Sequence, residues 1–91
     1  MATLLKLEGI ERDGGLVLLR TLHLSGPEVR IADGCTFDGA RLSVRPEHIA
    51  LLVSAALNPR QRTFALVNAH DADRLVEGQT YEFRTAPIYD R

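Results

Sequence analysis

Apolar and polar residues alternate along this chain with two periods. Over Thr3–Arg12 and Leu16–Leu24 the period is near two, that of a half-buried strand. Between these segments lies Asp13-Gly14-Gly15, whose glycines supply the positive φ angles of a tight turn, so a β-hairpin is predicted. The second strand opens apolar on both faces (Leu16, Val17, Leu18, Leu19) and then alternates, with Leu22 and Leu24 opposed to Thr21 and His23. A strand apolar on both faces is normally covered on both. In so short a chain the second cover is expected from another subunit or a partner, which makes Val17 and Leu19 candidate contact residues.

Ser25-Gly26-Pro27 ends that strand. A short strand is expected at Glu28–Ile31, then turns at Ala32-Asp33-Gly34 and Asp38-Gly39, then a strand over Ala40–Val44 with Leu42 and Val44 on one face. The period changes to 3.6 over Pro46–Leu57, where Ile49, Leu52, Val53, Ala56 and Leu57 form one apolar stripe. Proline in the first turn, Glu47 near the positive end of the dipole and the Asn58-Pro59 stop complete a helix signal. Strands are predicted again at Thr63–Ala69 and Gln79–Thr85, separated by one helical turn over Ala72–Val76 capped by Asp71. The order β-β-β-β-α-β-β gives an α+β fold: a small, mainly antiparallel β-sheet or partly closed barrel of five to six strands, with one helix at 46–57 packed on it.

Composition narrows the function classes. The 91 residues are 45% hydrophobic and 25% charged with net charge −1, near globular averages, so disordered and fibrous classes are excluded and a single domain over 1–91 is expected. No apolar run reaches the ~18–20 residues of a membrane span. The single cysteine excludes an intramolecular disulfide framework. The first residues carry neither a signal-peptide pattern nor a lipidation motif, so a cytoplasmic protein without membrane insertion is expected. Six basic and six acidic residues in 1–45 against five and six in 46–91 leave no basic bias of the kind a nucleic-acid coat needs.

Few residues carry candidate chemistry. Arg41, Arg45, Arg60 and Arg62 lie in a stretch whose only acid is Glu47; brought to one sheet edge, they could contact phosphates or an acidic protein surface. His70-Asp71-Ala72-Asp73 offers three ligand-type side chains, but no second cluster completes a metal site, and a polar turn is the expected role. Cys35 has no local base and is expected as a small buried thiol. Neither a phosphate-binding loop nor a nucleophile elbow is present.

Two short resemblances stand apart from these signals. Cys35–Val44 parses as two units resembling a pentapeptide repeat, too few to stack as a solenoid. Val44-Arg45-Pro46-Glu47-His48-Ile49 resembles the Arg-Pro-Glu-His segment of TOBE-type OB domains at the C-terminus of some ABC-transporter ATPase subunits. Val76-Glu77-Gly78-Gln79 resembles the approach to their last strands, whereas their central strands have no counterpart. That resemblance implies a barrel and a ligand-binding module, and it transfers no site residue. The reading from the residues is a non-catalytic interaction module without cofactor, binding itself or a protein partner through a sheet face or edge. A nucleic-acid-binding module using the arginines is the alternative. A metal or thiol enzyme built on His70, Asp71, Asp73 and Cys35 has the least to rest on.

Overall fold

The computed structural model describes residues 2–49 and 59–85. Six strands form one antiparallel sheet: β1 (Thr3–Asp13), β2 (Leu16–Ser25), β3 (Thr36–Phe37), β4 (Ala40–Arg41), β5 (Gln61–Ala65) and β6 (Thr80–Arg84), in the order β4-β3-β6-β1-β2-β5. The 3₁₀ helix Ala69–Arg74 lies between β5 and β6. The predicted hairpin is β1–β2, with Gly14 and Gly15 both at positive φ in its turn. Asp38 and Gly39 make the second tight turn, again with positive φ at both positions.

The sheet curls because the hairpin carries two register shifts. Leu24 is the extra residue on β2 between the Leu4–Ser25 and Leu5–His23 pairs, and Glu8 is the extra residue on β1 between the Leu7–Thr21 and Gly9–Arg20 pairs. Such bulges bend a strand and increase its twist. The curl brings the two ends of the sheet together. Leu42, just past β4, forms an antiparallel bridge with Leu66, just past β5. Around it the Ser43 N–H donates to the Ala65 carbonyl at 2.8 Å and the Val67 N–H to the Arg41 carbonyl at 3.0 Å. The result is a partly closed barrel.

Its interior holds Leu5, Leu7, Val17, Leu19, Phe37, Leu42, Phe64, Leu66 and Phe83. Phe64 stacks on Phe83 at 5.7 Å between ring centroids and reaches Phe37 at 6.4 Å. Since β1 and β2 separate β5 from β6 and β3 in the sheet, these contacts cross the interior. Phe37 also meets Tyr81 edge-on. Val29 and Ile31 pack against this core from a loop, where a strand had been predicted. Two β-branched side chains, rather than a strand, fill that side of the core.

Other differences are local. Asn68, and not Asp71, caps the short helix, its side chain accepting from the His70 N–H; Asp71 sits in the first turn. β5 begins at Gln61 and ends at Ala65, earlier than the predicted Thr63–Ala69, because Leu66 turns to the closing bridge. Residues 46–49 form a helical turn; the rest of the predicted helix, with Leu52, Val53, Ala56 and Leu57 of its stripe, lies outside the described residues.

Gly26 follows β2 at φ +91°, and a Cβ there would fall 2.1 Å from the Ala2 carbonyl oxygen. Gly26→Ala is expected to cost more than about 2 kcal/mol in urea unfolding, against about 1 kcal/mol for Gly14→Ala, whose surroundings are open. Equal losses would show that the close backbone approach is not what requires the glycine. Thr63 Oγ1 is buried without a hydrogen-bond partner among the described residues. Thr63→Val removes that unpaired hydroxyl and should leave stability equal or raise it by up to about 1 kcal/mol; a clear loss in the same assay would mean the hydroxyl is bonded.

Candidate functional site

The closing bridge is short, and the two chains separate beyond it. Residues 43–48 run outward to the helical turn while Val67 and Asn68 turn toward the 3₁₀ helix. Between them opens a cleft of about 400 Å³. Core residues Leu42 and Leu66 form its floor, and Leu16, Val44 and Val67 line it. Val67 is 60% exposed and Val44 36%, so two β-branched side chains stand in solvent beside half-buried Leu16. Arg41, Arg45, Ser43, His48 and Asp33 supply its polar groups.

Ser43 organises one wall. Its Oγ accepts from the Arg45 N–H at 3.3 Å and lies 2.7 Å from His48 Nδ1. The His48 N–H donates to the Arg45 carbonyl at 2.9 Å, so the turn holds the imidazole against the serine. Arg45 pairs with Glu47 at 3.1 Å. This pair is largely exposed and contributes little to stability. Arg41 has no side-chain partner among the described residues.

The structure divides the four candidate arginines. Arg41 and Arg45 line the cleft. Arg62 lies toward the opposite end of β5, about 17 Å of strand from Val67 at ~3.3 Å per residue, and its guanidinium donates to the Pro59 and Gln61 carbonyls. The Arg60 carbonyl accepts from the His23 N–H, which places Arg60 at that same end. One convergent patch of four does not form.

Val17 and Leu19 point into the barrel and are 2% and 0% exposed. Their role as contact residues is therefore corrected: within this chain they are core, and lysine at either position would test folding and not association. The second apolar face that the sequence signals is real but belongs to Leu16 and Leu18, both half-buried on the outer side. Closure of the sheet also removes most of the free edge that an edge contact would use. Along β1 beyond its pairing with β6, the Leu7 N–H donates to the Gln79 carbonyl and the Ile10 N–H to the Glu77 carboxylate.

Asp73 faces Arg12 at 3.3 Å, and His70 Nδ1 lies 3.9 Å from Asp73. No group of three or more metal-ligating side chains occurs among the described residues. No described helix is long and apolar enough to cross a membrane. Sequence reasoning missed Leu16, Val44, Val67 and the Ser43–His48 contact as parts of one place. The available signal was that the Ala40–Val44 alternation continues past the point where a partner strand can follow.

Cys35 is fully buried, and burial raises its thiol pKa, outweighing the backbone hydrogen bonds that favour the thiolate. Its side chain is thus a packing group. Ellman's reagent is expected to react only as fast as the protein unfolds; rapid labelling of the native protein would contradict this. The unfolded thiol ionises more readily than the native one. Stability should therefore be complete below the ordinary thiol range near pH ~8.5 and fall as pH rises above it, a slope that Cys35→Ala removes.

Comparison with protein-family models, with curated proteins and with solved structures found no match.

Proposed function

We propose that this protein is a non-catalytic interaction module that docks an extended segment of a protein partner in the cleft at the barrel seam. The observation that carries this reading is the exposure of Val44 and Val67 on a concave surface, beside Leu16 and a guanidinium, Arg41, without a side-chain partner among the described residues. Apolar side chains gathered in a hollow lose more water on docking than the same side chains scattered over a convex surface. Rim arginines add orientation and attract acidic surfaces. A concave apolar surface with a few polar groups also suits a ligand that inserts side chains.

Nucleic-acid binding is the weaker reading. The four arginines stand in two groups, and Arg62 is already occupied by carbonyl oxygens. Among the described residues no aromatic side chain lines the cleft to stack a base. Self-association through the cleft remains an outcome of the test.

Peptides selected from a random display library against the full chain should protect Val44 and Val67 from solvent, as read by NMR. Val44→Lys with Val67→Lys should weaken them at least about tenfold without lowering Tm, because both side chains are exposed. Selected peptides that map elsewhere, or a dimer in native mass spectrometry dispersed by the same substitutions, would overturn docking of a different protein.

A further inference from the structure

We infer that the cleft is a carboxylate-recognition site: it receives one acidic side chain of the docked segment, with apolar neighbours seated on Val44 and Val67. This rests on the docking reading above and adds the chemistry of what is docked.

The argument begins with the arginines. Arg12, Arg20, Arg45, Arg74 and Arg84 each face a carboxylate of this chain. Arg62 donates to carbonyl oxygens. Arg41 lines the cleft with its five donors uncommitted among the described residues. A planar guanidinium beside apolar surface matches a carboxylate in two parallel hydrogen bonds, stronger than neutral ones.

A histidine stands on the same wall. Ser43 Oγ accepts the Arg45 N–H and lies 2.7 Å from His48 Nδ1, which fixes the ring beside the cleft. The hydroxyl oxygen has a second lone pair, so either partner of the Ser43–His48 contact can supply the proton. Ser43 is thus a positioning residue for the imidazole.

Charge limits the size of the anion. Glu47 already engages Arg45, so Arg41 is the cation left to the cleft, with Asp33 also on its lining. One guanidinium pairs with one carboxylate. A phosphate monoester brings a charge of about −1.5 to −2, which exceeds what the lining offers and faces Asp33. A polyphosphate chain exceeds it further. The volume, about 400 Å³, is near the lower end of ligand sites and suits side chains of one extended segment.

The test is an NMR titration of the full chain with three blocked pentapeptides. One has a central glutamate flanked by leucines, one the glutamine isostere and one phosphoserine in its place. The glutamate peptide should move the amide signals of Ser43, Val44 and Val67 saturably, with the glutamine peptide at least about tenfold weaker. Arg41→Gln should abolish that difference, and Arg62→Gln, at the far end of β5, should preserve it. Equal affinity for the glutamate and glutamine peptides at the cleft would overturn carboxylate recognition and leave docking standing. Tightest binding of the phosphoserine peptide would overturn it in favour of phosphate. Peptides that leave the cleft signals unmoved would remove both the recognition and the docking reading.

Discussion

Everything in this molecule depends on the seam between β4 and β5. A six-stranded sheet with open ends would present two unpaired edges and leave Phe37, Phe64 and Phe83 on an uncovered face. The bridge between Leu42 and Leu66 joins those ends, and the aromatic rings meeting across the interior reward the joining. Neither works alone. A single bridge is too weak to hold a flat sheet closed, and the rings meet only when the sheet is curled. The two bulges of the hairpin supply the curl. Bulges, bridge and rings are thus one device distributed over all six strands.

The same seam makes the candidate site. Because the pairing is brief, the chain leaves the barrel on both sides of it while its residues still alternate. Leu42 and Leu66 go inward; Val67, next to Leu66, turns to the other face, and Val44, past the last shared hydrogen bonds, is left in solvent. Arg41 is displayed by the same geometry. The polar wall is then set by a turn in which Ser43 serves backbone and imidazole at once. Position in the fold, more than residue type, distinguishes these side chains from others like them.

Much of this architecture was legible in the sequence where the signal is local. The glycines at 14 and 15 and the Asp38-Gly39 pair mark turns whose angles only a few residues adopt. On β6 alternation puts Tyr81 and Phe83 on one face, and both pack on the core. What was not legible is set by distant partners. The doubly apolar start of β2 gives two faces but not which is interior; that depends on the direction of curl, fixed by bulges at Glu8 and Leu24 that no periodicity marks. Val17 and Leu19 were therefore assigned to the wrong side. The arginines are close in sequence, yet β5 runs its length between Arg62 and the cleft, so proximity along the chain did not become proximity in space. Val29 and Ile31 alternate like a strand but pack on the core without a paired strand among the described residues.

The pairing of β1 with β6 sets the order of events during synthesis. Thr3 lies opposite Phe83 and Lys6 opposite Thr80, so β1 is completed by a strand made much later along the chain. While a ribosome releases the chain, the β1–β2 hairpin can form early, but its outer edge and the apolar faces of Leu5 and Leu7 stay uncovered until β6 emerges. Contacts of such long sequence separation are slow to form. The nascent chain therefore passes through an interval in which its stickiest strand is exposed. A cell making this protein in quantity would need that interval to be brief, or guarded by a chaperone.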